Sequence, residues 1–253
     1  MYISIIGSGN VATHLALHLK KTGHKIGTVY SRNIANAKEL ASKVDSKAVD
    51  NITAINTDSD IYIISVSDSA VTSIIKQITF DPKLIVHTTG SIDINILARF
   101  KNYGVLYPLQ TFTKSKNIDV SKVPFCIEAN NAGVLQQIKE LADSLSNSVY
   151  ELNSNQRLQC HIAAVFANNF TNHMFAVAES ILQEKNIPFE IIKPLIQETV
   201  DKIMQISPQQ AQTGPAVRND KITIDKHIEI IKNKDFKKLY SFVSDSIIKL
   251  KEK

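Results

Sequence analysis

Two glycines near the N-terminus have the spacing of a phosphate-binding turn. Gly7, Gly9 and Ala12 fit the pattern GxGxxA, directly after the apolar run 2–6 and directly before an amphipathic stretch. In such a turn the first glycine permits the bend, the second lets the backbone approach a pyrophosphate, and the small third residue lets the helix pack on the strand. The amides at the start of the helix then face the phosphates. We therefore predict dinucleotide binding here, with a purely structural turn as the alternative. The predicted contacts are Gly7, Ser8, Gly9, Asn10 and Val11.

The end of the next predicted strand indicates which dinucleotide would bind. NAD enzymes usually place an acidic residue there to bond the ribose hydroxyls, whereas this chain has Ser31 and Arg32. A hydroxyl and a guanidinium can bind a 2′-phosphate, which a carboxylate would repel. The sequence therefore predicts NADP as the cofactor, with NAD less favoured. The alternative for Arg32 is a solvated surface position, and the neighbouring Asn33 has the type of a helix N-cap.

Small hydroxyl residues follow two further predicted strands, in the stretches SVSD (65–68) and HTTGS (87–91). Such residues leave room for a nicotinamide ring and can bond its amide, at the sheet edge where ligands bind. The predicted cofactor contacts here are Ser65, Val66, Ser67, Thr88 and Gly90. Asp68 can equally cap the following helix. His87 lies inside an apolar run, so a hydrogen-bonded core position is favoured over a catalytic one.

A polar stripe on a predicted long helix supplies candidate catalytic residues. Positions 161, 165, 168 and 172 fall along one helical face, which would bring His161, Asn168 and Asn172 together with Asn169 beside them. Buried unpaired amides are costly, so the stripe must line a cavity or find partners. His161 is the predicted proton donor because imidazole transfers protons near neutrality, and Asn168 and Asn169 would orient a carbonyl or an acid. A hydrogen-bonded network between subunits is the alternative.

Two irregular stretches add candidate substrate contacts. In LYPLQTF (106–112) a proline breaks a strand, and Gln110 is predicted to face the cleft. In TGPAVRND (213–220) Arg218 can clamp a carboxylate or a phosphate in a bidentate way, or can pair with Asp220 or with an acid of a second subunit. The predicted substrate-binding residues are Gln110, Asn172 and Arg218.

The elements that must position these residues change in kind near residue 152. Before it, apolar runs alternate with helical stretches, which predicts a doubly wound, mostly parallel sheet covered by helices. The predicted strands are 2–6, 25–31, 60–66, 83–89, 103–109, 124–129 and 148–152. After it, predicted helices cover 154–185, with Ser154 as N-cap, then 188–206, 224–233 and 236–251. The fold class is therefore α/β, with a Rossmann domain over 1–152 and an all-α domain for dimerisation and substrate binding over 153–253.

Composition excludes several classes of protein. At 43% hydrophobic residues the chain can bury one large core or two modest ones, yet no apolar run is long enough to span a membrane. The N-terminus does not have the pattern of a signal peptide, so we expect a cytoplasmic protein without a membrane partner. Only Cys126 and Cys160 are present, which argues against a disulfide framework and a metal site. The net charge of +5 is dispersed among acids, so no nucleic-acid partner is predicted.

Taken together, the motifs resemble a bacterial family. They are GSGNVATHLA (7–16), VYSRN (29–33), SVSDSAV (65–71), HTTGS (87–91), YPLQTF (107–112), HIAAVFANNFTNHM (161–174) and QTGPAVRND (212–220). They resemble Rossmann-type NADP oxidoreductases fused to a helical C-terminal domain of uncharacterised function. That family is similar to deazaflavin-dependent NADP reductases and, more distantly, to pyrroline-5-carboxylate reductase and the 6-phosphogluconate and 3-hydroxyacid dehydrogenases. The resemblance implies an N-terminal NADP domain and a homodimer built through a helical domain like that of 6-phosphogluconate dehydrogenase.

One departure from the wider superfamily bears on catalysis. Many hydroxyacid dehydrogenases carry a lysine on the first long interdomain helix, but no lysine lies between Ser154 and Glu184 here. We predict an NADP-dependent oxidoreductase that transfers a hydride to or from a small carbonyl, imine or deazaflavin acceptor in the cleft between the domains. The missing lysine favours the alternative of an NADP-binding sensor without turnover. A vestigial Rossmann half is disfavoured by the intact GxGxxA pattern together with Arg32.

Overall fold

Eight strands form one sheet in the computed structural model, which describes residues 1–251. They are β1 (Tyr2–Ile6), β2 (Lys25–Tyr30), β3 (Lys47–Val49), β4 (Ile61–Ile64), β5 (Ile85–His87), β6 (Tyr103–Pro108), β7 (Phe125–Ala129) and β8 (Val149–Glu151). The strand order is β3-β2-β1-β4-β5-β6-β7-β8, and only the β6–β7 pair is antiparallel among these strands. The first six strands therefore have the Rossmann order, which confirms the predicted fold class.

Helices cover both faces of the sheet because its central strands are apolar on both sides. They are α1 (Asn10–Lys21), α2 (Ile34–Lys43), α3 (Asp68–Gln77) and α4 (Ala132–Leu145). On one face Ile3, Ile5 and Ile63 pack with α1, α2 and α4, and on the other Ile6 and Ile64 pack with α3. Strand β3 was not predicted. It has three residues, which pair with the last three residues of β2, and three residues are too few to show an alternating pattern.

No strand follows β8 among the described residues, and the second half of the chain is helical as predicted. Its helices are α5 (Ser154–Ala164), α6 (Thr171–Gln183), α7 (Lys193–Ile203), α8 (Pro208–Ala211), α9 (Lys221–Ile230) and α10 (Lys234–Lys251). Within the described part of the chain, no helix has the length and apolar character that crossing a membrane requires.

The N-cap of α5 is Asn153, so the predicted cap at Ser154 was wrong. The Asn153 side chain accepts a hydrogen bond from the Gln156 amide at 3.0 Å, and the Gln156 side chain accepts one from the Asn153 amide at 3.0 Å. These two bonds form a capping box. The Ser154 hydroxyl is free for long-range contacts because the residue before it satisfies the helix end.

The predicted single helix over 154–185 contains a π-helical segment, Val165–Phe170, between α5 and α6. A π-helix has wider turns than an α-helix, so residues after it are rotated about the axis relative to an α-helical register. The predicted stripe at positions 161, 165, 168 and 172 assumed an uninterrupted α-helix. Asn168 and Asn169 lie within the π-helical segment itself, so the α-helical spacing behind the predicted stripe does not hold across it.

The chain forms two compact units, Met1–Asn168 and a second that begins at Asn169. The first unit thus extends past residue 152, where the strand pattern ends, and it includes α5. Helix α5 is tied to the sheet by Arg157, whose side chain is 0% exposed. Its guanidinium donates to the carboxylate of Glu128 on β7 and, at 2.5 Å, to the carbonyl of Ile92.

Ser154 completes this network at the first turn of α5. Its amide and hydroxyl each donate to the Glu128 carboxylate at 2.9 Å, and its hydroxyl accepts from the Ile94 amide at 3.0 Å. A buried charge is tolerated when it is paired and hydrogen-bonded. The start of α5 is therefore fixed to both β7 and the segment after β5.

Glu128→Gln tests this attachment. The substitution leaves the buried Arg157 without its counter-charge, and removing one member of a buried pair costs about 3 kcal/mol of unfolding free energy. We expect that loss in urea denaturation. Asp143→Asn is the control, because it breaks an exposed pair with Lys139 and should cost less than about 0.5 kcal/mol. Equal effects of the two substitutions would contradict the proposed anchoring.

Candidate active site

A cavity of about 590 Å³ lies at the carboxyl ends of β1, β2, β4 and β5, within the first unit. Every residue predicted to contact the cofactor lines it, and so does the predicted proton donor. These residues are Gly7, Ser8, Gly9, Asn10, Val11, Ser31, Arg32, Ser65, Val66, Ser67, Thr88, Gly90 and His161. The sequence motifs that are far apart along the chain therefore meet at one edge of the sheet, where α/β proteins bind ligands.

The glycine turn has the geometry that a dinucleotide needs. Gly7 has φ +132°, and a Cβ atom there would overlap the backbone carbonyl of Ser65, so only glycine fits. A Cβ atom at Gly9 would meet nothing within 4 Å, which leaves open space beside the backbone. Gly9 is also the N-cap of α1 and supplies no capping side chain. The first-turn amides and the positive end of the helix dipole therefore face the cavity without a protein cap.

The other end of the cavity, after β2, carries a cation and no carboxylate. Arg32 is exposed and belongs to none of the salt bridges among the described residues. Asn33 caps α2 by accepting a hydrogen bond from the Ala35 amide at 2.9 Å. The capping role therefore belongs to Asn33, and the Arg32 guanidinium is available to an anion. These features fit the adenosine ribose of NADP better than that of NAD.

His161, Tyr107 and Gly90 meet at a third part of the cavity. The ring nitrogen Nδ1 of His161 lies 3.0 Å from the Tyr107 hydroxyl. A Cβ atom on Gly90 would lie 2.7 Å from that nitrogen and 2.8 Å from Cζ of Tyr107. Only a glycine at position 90 therefore permits this close packing. Nε2 of His161 has no hydrogen-bond partner among the described residues, so it is free for a ligand.

Tyr107 is a functional candidate that the sequence reasoning missed. The alternation of side chains along β6 could have identified it, because Leu106 lies in the core on one face of the strand and Tyr107 must therefore lie on the other. Tyr107 pairs in register with Cys126 of β7. Burial raises the pKa of Tyr107 to about 12, with the nearby Cys126 as a smaller cause. The phenol therefore stays protonated through the neutral range.

His87 is a core residue, as the sequence favoured. It is 0% exposed, does not line the cavity, and its Nδ1 accepts a hydrogen bond from the Thr89 amide at 3.2 Å. The prediction of a hydrogen-bonded core histidine holds for this nitrogen alone, because the buried Nε2 has no hydrogen-bond partner among the described residues. Burial, and to a smaller extent the Arg157 guanidinium, lower the pKa of His87 to about 3. The imidazole is therefore neutral at physiological pH.

Asp68 lines the cavity in place of capping a helix. Ser67 is the N-cap of α3, and its side chain makes no capping hydrogen bond. Asp68 is the first helical residue, and its carboxylate accepts a hydrogen bond from the Ser91 hydroxyl. Further lining residues that the sequence did not single out are Tyr30, Ser69, Ala70, Ser73, Ile74, Gln77 and Thr89.

Five predicted site residues do not line this cavity: Gln110, Asn168, Asn169, Asn172 and Arg218. The Gln110 side chain accepts a hydrogen bond from the Thr111 amide at 2.8 Å. Asp220 caps α9 through the Thr223 amide at 3.1 Å, and no salt bridge of the described residues joins it to Arg218. Arg218 is exposed. The catalytic and substrate-binding roles of these five residues stay predictions. Among the described residues, no group of three or more His, Cys, Asp or Glu could hold a metal ion.

Comparisons with known proteins agree with this geometry. Residues 2–90 match a family model described as NADP oxidoreductase, coenzyme F420-dependent, and residues 123–247 match a domain of unknown function, DUF2520. A crystal structure of a "putative NADP oxidoreductase" from Bacteroides fragilis is 40% identical, with 98% of each chain covered and a TM-score of 0.92. No curated protein matches the chain in a sequence search.

Two more distant structures share the fold. An imine reductase from Myxococcus stipitatus, solved in complex with NADP+, is 15% identical over 100% of this chain and 93% of its own, with a TM-score of 0.69. A 1-pyrroline-5-carboxylate reductase from Streptococcus pyogenes is 17% identical over 100% and 99%, with a TM-score of 0.65. At this level of identity the likeness concerns the arrangement of the chain.

Proposed function

We infer the function of this chain from the family to which it belongs, the Rossmann-type NADP oxidoreductases with a helical C-terminal domain. The family predicted from the motifs is confirmed by the full-length relative at 40% identity. NADP, the predicted cofactor, is the cofactor named for this family. The chain is therefore a member of an NADP oxidoreductase family, and this membership does not name the substrate.

We propose that the protein reduces a small carbonyl or imine compound, or a deazaflavin, at the cavity of the first unit. The observation that carries this proposal is the contact of His161 with Tyr107 and Gly90 inside a cavity that the dinucleotide motifs also line. When bound, NADPH supplies the hydride. The protein supplies a site for the phosphates at α1, a cation for the 2′-phosphate at Arg32, and a proton donor at His161.

Proton donation would come from Nε2 of His161. Tyr107 stays protonated because its pKa is about 12, so its hydroxyl cannot take the proton from Nδ1. The Nδ1–Tyr107 contact at 3.0 Å instead fixes the orientation of the ring. The imidazolium then releases its Nε2 proton to the acceptor and keeps its Nδ1 proton toward the phenol oxygen.

A sensor that holds NADP without turnover is the second candidate function. The observation that favours it is the lack of a lysine between Ser154 and Glu184 on the helix that carries His161. Binding and turnover experiments separate the two candidates.

Cofactor choice is tested by titrating the protein with NADPH and NADH in a calorimeter. We expect NADPH to bind about 10- to 100-fold more tightly, because hydrogen bonds to charged groups contribute about 1.5–3 kcal/mol. Arg32→Asp should abolish that preference. Lys38→Asp is the matched control, since it makes the same charge change on α2 outside the cavity. Equal affinities for both nucleotides in the unchanged protein would refute the role of Arg32.

Catalysis is tested with His161→Gln and Tyr107→Phe, using NADPH oxidation by a panel of small aldehydes, cyclic imines and a deazaflavin. We expect His161→Gln to lower kcat by about 10²- to 10³-fold, the usual contribution of a general acid, and to flatten the pH profile. Tyr107→Phe should lower kcat less and keep the profile, because the phenol does not titrate below its pKa of about 12. Unchanged NADPH affinity in both variants is the control. NADPH binding without oxidation by any acceptor would support the sensor.

We also propose that the protein is a homodimer through its helical unit. Helices α6 and α7 have no buried residue, and large apolar side chains are exposed on them and on the following segments. They include Ile181, Ile187, Ile191, Leu195, Val200, Ile203, Met204 and Ile206. Apolar exposure on this scale is typical of a protein–protein contact.

Sedimentation equilibrium measures the assembly. Because a second copy would cover the apolar side chains of α6 and α7, we expect twice the chain mass of 28.1 kDa at micromolar concentration. A single-chain mass at every concentration would refute the dimer.

A further inference from the structure

The cationic residue and the acidic residue that line the cavity lie in different parts of it. Among the described lining residues, Arg32 is the one lysine or arginine and Asp68 is the one carboxylate. Arg32 follows β2, at the end of the cavity assigned above to the 2′-phosphate. Asp68 begins α3, after β4.

Asp68 lies at the His161 end of the cavity. Its carboxylate accepts a hydrogen bond from the hydroxyl of Ser91, which directly follows Gly90. Gly90 in turn packs against His161 and Tyr107. The pKa of Tyr107 is raised first by burial and then, among smaller causes, by the negative charges of Cys126 and Asp68, which agrees with this placement.

The Asp68 carboxylate lies in the first turn of α3, where the positive end of the helix dipole favours an acidic side chain, but no cation is paired with it. It does not cap α3, since the cap position belongs to Ser67. It belongs to none of the salt bridges among the described residues. Among the described residues its hydrogen-bond partner is a neutral hydroxyl, so no lysine or arginine neutralises the carboxylate at this end of the cavity.

A carboxylate without a paired cation at this end would discriminate between acceptor classes. A substrate carboxylate or phosphate would be repelled by Asp68 and would find no lysine or arginine among the described lining residues there. A neutral ketone would gain nothing from the charge. A protonated imine carries its positive charge on the C=N group itself, so attraction to Asp68 would hold the reacting group at the His161 end.

We propose that Asp68 makes the cavity selective for a cationic imine that bears no carboxylate near its C=N group, an inference that rests on the reductase function proposed above. The imine binds as the iminium cation or, when it binds neutral, takes the Nε2 proton of His161 and becomes that cation, and Asp68 attracts the cation in either case. The hydride then forms a C–H bond at the iminium carbon, the C=N π electrons become the lone pair of the amine nitrogen, and NADPH is oxidised to NADP+. No further proton is needed, and His161 regains its proton from solvent.

The first test measures binding without turnover. Pyrrolidinium, cyclopentanol and cyclopentanecarboxylate share a five-membered ring and differ in charge, so each is titrated into the full-length protein saturated with NADP+. We expect pyrrolidinium to bind more tightly than cyclopentanol by about fivefold, the value for opposite charges at an exposed site, and cyclopentanecarboxylate to bind most weakly. Asp68→Asn should remove the advantage of pyrrolidinium. Asp81→Asn, at an exposed position outside the cavity, should keep it.

The second test measures turnover of 2-methyl-1-pyrroline against cyclopentanone with NADPH. We expect the imine to have a higher kcat/KM than cyclopentanone. Asp68→Asn should lower kcat/KM for the imine about fivefold by raising KM, because the attraction to the cation is lost. Reduction of cyclopentanone alone would overturn this inference and leave the proposed reductase intact. Failure of NADPH to bind, or of every acceptor to react, would instead overturn the proposed function. We expect the cation to bind most tightly, then the neutral probe, then the anion, and any other order would overturn the role of Asp68. The same holds if none of the three probes binds, or if Asp68→Asn leaves the order unchanged.

Discussion

The ion pair between Arg157 and Glu128 determines where the candidate proton donor lies. A guanidinium with no solvent exposure is stable only when its charge is paired and hydrogen-bonded. Here Glu128 of β7 and the carbonyl of Ile92 accept from its two terminal nitrogens, while its Nε has no partner among the described residues. Ser154 bonds the same carboxylate. Since α5 is held at its first turn, His161, one helical turn beyond Arg157, is held against Tyr107. A buried pair of this kind contributes position more than net stability.

Close backbone packing constrains the cavity at two separate points. At one end, Gly7 bends the chain against the carbonyl of Ser65, which brings the first turn of α1 to the edge of the sheet. At the other end, Gly90 leaves space for the His161 ring and the Tyr107 phenol. A side chain at either position would push apart elements that are distant in sequence. The cavity thus depends on the absence of two side chains as much as on the groups that line it.

The two units differ in how many of their apolar side chains they bury. The sheet of the first unit buries apolar residues on both faces, so this unit has its own core. Among the described residues of the second unit few are buried, with Ala216 and Ile224 as the apolar ones, and α6 and α7 bury none. A helical unit that leaves its apolar residues in water is costly by itself. This contrast is the physical basis of the proposed dimer.

The sequence by itself determined the features that depend on neighbouring residues. The GxGxxA turn, the apolar strands, the helical second half and the Arg32 position follow from local spacing, and the first and last of these predict NADP. Only the tertiary structure showed that Tyr107 contacts His161 across 54 residues of chain, that Ser91 rather than a helix end binds Asp68, and that Arg157 anchors α5. It also revealed the π-helical segment that breaks the predicted polar stripe. Periodic patterns indicate which face of an element is buried. The partner of a given side chain depends on how elements that are distant in the chain pack together, and the residues next to it in the sequence do not indicate that packing.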